Sequence, residues 1–213
     1  MARDLSPLLY AALQQLDESA QQKLLGSQLD EIKTTIHKYA IYSAVAGVTG
    51  NVLPGIGAIA AVVAQTTLVW TMYVKINRTL GISMSDNTMK FVGSALLTNL
   101  ATNAGALIVA YAASALLSWI PFFGQAAAAL TEGALGYMVI YIAAALYLKL
   151  LTKVMKATGS YQLTKTDETK HQIKDVIRET NMKDLIREAK ESYKAAKATG
   201  EIDAAKKTAQ EAL

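Results

Sequence analysis

The sequence predicts an all-α integral membrane protein with two proline-turned helical hairpins, related as an internal repeat and flanked by amphipathic cytoplasmic helices. Three observations carry this. From Tyr39 to Val74, 36 residues pass without an Asp, Glu, Lys or Arg. From Phe91 to Leu148, Glu132 is the one such residue in 58, so 37 of the 38 charges fall in the other 119 of 213 positions. Each apolar block is interrupted by a turn of proline and glycine. Mainly apolar runs of 18 or more read as membrane spans, because about 20 helical residues cross a hydrocarbon layer of about 30 Å. The overall composition, 52% hydrophobic and 18% charged with net charge +4, conceals this segregation.

Residues 1–38 are polar and periodic. Ser6-Pro7 starts a helix, the serine oxygen accepting an orphan amide and proline taking the first helical position. Leu9, Leu13, Leu16 and Ala20 mark one stripe, and Leu25, Leu29, Ile32 and Ile36 a second, offset near Gly26. This predicts two amphipathic helices or one bent helix. Four basic and five acidic residues give no pull toward anionic lipid, so packing on the same protein or a twin chain is expected. The N-terminus reads as helix rather than signal peptide.

Residues 39–74 form the first membrane hairpin. Proline lacks the amide that a helix needs and glycine tolerates turn dihedrals, so Pro54, Gly55 and Gly57 make its turn. Its arms, about 15 and 20 residues, span roughly 22 and 30 Å. The first arm crosses a bilayer only if it begins before Tyr39. Residues 75–90 form a cytoplasmic connector, with a helix end at Leu80-Gly81 and a cap at Ser85 or Asp86. Residues 91–150 form the second hairpin, turning at Pro121 and Gly124. At an offset of 67, Pro54 falls on Pro121, Gly57 on Gly124, Gln65 on Glu132 and Trp70 on Tyr137. Residues 151–213 form a charged helical tail. Positions 161–213 hold eleven basic and ten acidic residues. Ile173, Val176, Ile177, Leu185, Ile186, Ala189, Tyr193 and Ala196 form a narrow apolar stripe that needs a partner surface, and Asn181 and Asp184 are placed as cap and first-turn acid.

Lysines and arginines flank every hairpin end and neither turn carries a charge. The positive-inside tendency then puts both tails and the connector on the cytoplasmic side of a membrane, which in a bacterium is the inner membrane. Tyr39, Tyr42, Trp70, Tyr73 and Tyr147 fall where an interfacial aromatic belt is expected, and Trp119, Phe122 and Phe123 at the far turn.

Glu132 is the most informative residue, because a carboxylate at membrane depth costs about 2.5–3.5 kcal/mol. It reads either as a proton- or ion-responsive group in a polar cavity or as a group tied to neighbouring helices, which Gly133 and Gly136 allow to approach closely. Gln65, its repeat counterpart, is a natural partner. Thr98, Asn99, Thr102 and Asn103 form a polar ridge that either lines a water-filled path or joins helices. With no cysteine, and with His37 and His171 in separate polar segments, no catalytic, metal or cofactor site is expected. The acid-balanced tail lysines give nucleic-acid binding little electrostatic basis.

The two turns, with Pro54 eleven residues before Gln65, Leu80-Gly81 closing the segment and the second Ile120-Pro121-Phe122-Phe123-Gly124 turn, resemble the YcjF-like membrane domain family of unknown function. The resemblance covers roughly residues 36–155. It implies a membrane domain that stands beside a GTPase, which here is a separate protein meeting the tails or the connector, and it transfers no catalytic residue. The resulting expectation is a non-enzymatic, self-associating membrane protein that organises or shapes the bilayer around it or serves as membrane partner of that separate protein. The alternatives are an ion- or proton-responsive pore built on Glu132, Gln65, Asn99 and Asn103, and a soluble toxin-like bundle that hides its apolar hairpins until it inserts.

Overall fold

Long runs of Ala, Leu, Ile and Met, with proline confined to three positions, leave helix as the local solution over most of the chain. The computed structural model describes residues 7–19, 26–49, 57–117 and 125–211, and within them the side chains of 7–18, 26–46, 66–105, 107–108, 133–209 and 211. The described residues form eight helices and no strand: α1 (Pro7–Ser19), α2 (Gly26–Thr49), α3 (Gly57–Thr79), α4 (Asp86–Leu117), α5 (Gln125–Thr158), α6 (Asp167–Glu179), α7 (Met182–Ala198) and α8 (Glu201–Glu211).

Local chemistry sets the ends. At the close of α3, Gly81 takes φ +68°, its amide donates to the Arg78 carbonyl at 3.1 Å, and the Ile82 amide donates to Asn77 at 2.8 Å. This is a Schellman ending, which needs the left-handed conformation that glycine adopts freely. Ser85 Oγ accepts from the Thr88 amide at 3.2 Å and opens α4. Asn181 Oδ1 accepts from the Asp184 amide at 3.3 Å and opens α7. α3 begins at Gly57 and α5 at Gln125; Gly124, its expected repeat counterpart, lies outside the described residues.

Side-chain pairings fix the helix directions. Gln28 Nε2 donates to the Thr79 carbonyl at 3.0 Å and Lys75 lies over the Tyr39 ring, so α2 and α3 are antiparallel. Asn77 Nδ2 meets Met89 Sδ at 3.0 Å while Gly93 approaches Val69 and Tyr73, so α3 and α4 are antiparallel. The Tyr73 hydroxyl donates to the Ala143 carbonyl at 2.9 Å and the Tyr147 hydroxyl to Asn77 Oδ1 at 2.7 Å, so α3 and α5 are parallel. The C-terminal ends of α2 and α4 and the N-terminal ends of α3 and α5 therefore point the same way. The charge-free halves of both hairpins lie at one end of the bundle, called the apolar end below.

The core is built on α5, which packs against α1, α2, α3, α4, α6 and α7. Nine consecutive residues, Ile140 to Leu148, are all buried. At 100° of rotation per residue such a run covers every face, so α5 is enclosed by protein on all sides. Gly133–Thr158 is the one helix among the described residues long and apolar enough to cross a membrane, and 83% of its apolar window is buried inside the protein.

Several expectations change. The boundary between residues 38 and 39 and that between 90 and 91 fall inside α2 and α4, because the ladder continues through the change from charged to apolar residues. Tyr73 and Tyr147 do not join an aromatic belt; they stack at 3.9 Å and 15° in the core, each fully buried. The apolar stripes of α1, α6 and α7 do not await a partner chain. Leu9, Leu13, Leu16, Ile173, Ile177, Leu185, Ile186 and Tyr193 are buried in the core that α5 organises, where full burial of a Leu or Ile contributes about 1.5–3 kcal/mol.

Replacing Tyr147 by Phe leaves the buried Asn77 carbonyl oxygen without its donor, and thermal melts followed by circular dichroism should show a loss of about 1–3 kcal/mol. Gly93→Ala should be neutral or stabilising by up to about 1 kcal/mol, because its added methyl would meet Val69 and Tyr73 at ordinary distances of 3.8 and 3.9 Å.

Candidate functional site

The apolar end is the part of the molecule whose chemistry a water-filled surface does not explain. From Tyr39 to Thr49 and from Gly57 to Val74, α2 and α3 carry no ionisable aliphatic side chain, and α4 and α5 contribute only Glu132 between Phe91 and Leu148. Beyond Asn103, α4 continues for 14 residues to Leu117, about 21 Å at 1.5 Å per residue.

A polar border marks where this end begins. On the α7–α8 flank, the Tyr137 hydroxyl sits 2.9 Å from Ser192 Oγ and 3.4 Å from His37 Nδ1, and His37 Nε2 meets Glu201 Oε2 at 2.5 Å. This clasp ties α2, α5, α7 and α8 together. One turn along α5, the Tyr141 hydroxyl donates to Glu188 Oε1 at 3.1 Å. Glu188 also accepts from the Leu8 amide at 2.9 Å and the Leu9 amide at 3.1 Å. A carboxylate from α7 thus caps the N-terminus of α1, satisfying orphan amides and opposing the helix dipole. The Tyr193 ring packs edge-on to Tyr137 at 5.6 Å, and burial, with Asp203 nearby, pushes its hydroxyl up to about 12. His37, Tyr137, Tyr141, Glu188, Ser192 and Glu201 line an open cavity of about 1540 Å³ whose walls mix Lys33 and Arg187 with Asp30, Asp184 and Glu191. Among the described residues no cluster of three His, Asp or Glu could hold a metal ion.

The other flank, formed by α2, α3 and α4, is bordered differently. Lys38 Nζ lies 5.5 Å from the Tyr42 ring centre, Lys75 Nζ 5.9 Å from Tyr39 and Lys90 Nζ 5.0 Å from Trp70. Tyr39 and Tyr42 meet edge-on at 6.0 Å. Tyr42 is 43% exposed, whereas the Trp70 indole nitrogen is buried without an acceptor among the described residues. Of the five residues expected in an aromatic belt, Tyr42 and Trp70 lie at the border; Tyr39 meets Lys75 there but is buried and, like Tyr73 and Tyr147, belongs to the core.

The expected polar residues are divided. Asn99 Nδ2 donates to the Ala95 carbonyl at 2.8 Å, Asn103 Nδ2 to Asn99 at 2.7 Å and Thr102 Oγ1 to Thr98 at 2.9 Å. The ridge bonds its own helix, and Thr98, Thr102 and Asn103 face outward rather than into the bundle. The side chains of Gln65 and Glu132, the turn residues Pro54, Gly55, Pro121 and Gly124, and Trp119, Phe122 and Phe123 lie outside the described residues. Sequence reasoning missed the clasp, because residues 37, 137, 192 and 201 share no spacing and meet only through tertiary packing.

Glu188→Ala should free the α1 amides and weaken docking of that helix by about 1–2 kcal/mol. Faster hydrogen exchange in residues 8–16, with exchange in α5 unchanged, is the expected result. Comparison with known protein families, with curated proteins and with solved structures gives no match.

Proposed function

We propose that the chain is a non-enzymatic membrane protein whose helical body stays in water on the cytoplasmic side. Its two hairpin ends enter the bilayer from that side and organise or shape it. The observation that carries this reading is the gathering of both charge-free hairpin halves at one end of a bundle whose central helix is already enclosed by protein. Lipid is then needed as solvent only at that end, where the hairpin halves supply no charged residue apart from Glu132. Beyond the polar border, α3 from Gly57 to Val69 and α5 from Gln125 to Gly136 run about 20 and 18 Å, short of the hydrocarbon layer of about 30 Å. Those lengths support ends that dip into the membrane without crossing it, and such one-sided insertion expands one leaflet more than the other.

The outward-facing Thr98, Thr102 and Asn103 support self-association, because polar side chains of this kind join neighbouring helices at membrane depth. They offer less support for a pore within one chain. The separate GTPase implied by the YcjF-like resemblance would meet the water-facing α6–α8 surface. The enclosure of α5 favours a second reading, in which the bundle forms in water and inserts later. Recovery of the expressed chain from the aqueous fraction, followed by capture on added vesicles, would select it over constitutive insertion.

With Trp70 replaced by Phe, Trp119 at the second turn is the sole tryptophan. Its fluorescence should be quenched by bromines on lipid acyl chains and shielded from aqueous iodide. A cysteine placed at Phe122 of this cysteine-free chain should stay unreactive to impermeant maleimide on either side of the membrane. Free reaction from the far side would mean full crossing, and iodide quenching in the presence of vesicles would end the insertion reading.

A further inference from the structure

We propose that the α2–α3–α4 flank is a collar that binds the headgroups of anionic phospholipids around the inserted end. The inference rests on the insertion reading above and names the lipid class that it selects. Its first basis is charge. Residues 32–85 contain four basic residues, Lys33, Lys38, Lys75 and Arg78, and no acidic one. The first hairpin therefore has no carboxylate of its own beyond Glu31.

The second basis is how the lysines are held. Lys33, Lys153, Lys170, Lys194, Lys197 and Lys207 pair with carboxylates, Lys170 while also resting on the Phe91 ring beside Lys90. Lys38, Lys75 and Lys90 form no ion pair among the described residues; their ammonium groups rest instead on the faces of Tyr42, Tyr39 and Trp70. An aromatic face attracts a cation without neutralising it, so the positive charge stays available to an anion. All three lysines are exposed.

The third basis is the order along the bundle axis. In α2, Tyr42 lies nearer the apolar end than Lys38. Lys75 reaches from α3 toward the same end to meet Tyr39, since Gln28 already pairs with Thr79. Lys90, next to Met89 at the level of Asn77, reaches toward Trp70, two turns closer to that end. In every pair the ring is on the membrane side and the ammonium on the water side. That is the sequence of layers in a leaflet, where amphipathic aromatics occupy the interface and basic side chains reach the phosphates. Asp30, Glu31 and Asp86, the acids at the ends of α2 and α4, lie farther from the apolar end, and Asp167 of α6, which comes near Phe91 of α4, is paired with Lys170. The opposite flank carries Glu188 and Glu201 at the same border, so the collar is one-sided.

Vesicle flotation of the full chain tests this. Wild type should bind vesicles of phosphatidylcholine containing about one third phosphatidylglycerol at least tenfold more strongly than pure phosphatidylcholine, with the preference fading as salt rises. Lys38→Gln, Lys75→Gln and Lys90→Gln together should abolish the preference while leaving binding to neutral vesicles intact. The triple Lys→Arg variant should keep it, as should a control with Lys165, Lys174 and Lys183 changed to Gln. Equal binding of wild type to both vesicles, or loss of the preference in the tail control to the same extent, would overturn the collar and leave insertion standing. Failure of wild type to bind either vesicle would remove both.

Discussion

A helix that is apolar on every face must find a non-aqueous solvent on every face, and the enclosure of α5 is the constraint on which the remaining structure depends. From Ile140 to Leu148 no side of this helix reaches the surface. Six helices are required to cover it, and their arrangement follows from that requirement. The first hairpin and α4 close one side; the tail folds back to close the other, laying Ile173, Ile177, Leu185 and Ile186 into the same core. Two hydroxyls drawn into the core with these helices are paired: Tyr147 donates to Asn77, and Tyr73 to a backbone carbonyl. Buried polar groups persist where such partners exist and are costly otherwise.

Folding the tail against α5 also decides where charged side chains border the apolar end. Because α7 climbs antiparallel to α5, it carries Glu188 and Ser192 to the level of Tyr141 and Tyr137, and α8 brings Glu201 to His37. Carboxylates thus border one flank of the apolar end. On the other flank no tail helix intervenes at α3, and the border is made by lysines resting on tyrosine and tryptophan rings. The two flanks of one bundle therefore present different chemistry to whatever surrounds its apolar end.

Much of the secondary structure was legible in local chemistry. The Schellman ending at Gly81, the Ser85 and Asn181 caps and the stripe from Ile173 to Ala196 all lie where turn chemistry and periodicity place them. Such features depend on residues within one or two turns of each other. The roles of the tyrosines were not legible. Tyr73 and Tyr147 follow the same spacing rule as Tyr39 and Tyr42, yet Tyr42 alone of the four is exposed, because only packing distinguishes the faces that other helices cover. The polar ridge at Asn99 and Asn103 was visible as a ridge, but its outward direction was set by the orientation of α4.

The sequence by itself determined that the chain is helical, where its charge stops, and that its apolar residues outnumber what a thin charged shell covers. Only the tertiary structure decided which of those apolar residues use protein as their solvent. Hydropathy records the demand to leave water but is indifferent to what replaces it. Neighbouring helices met that demand along α5, through contacts between residues far apart in the chain.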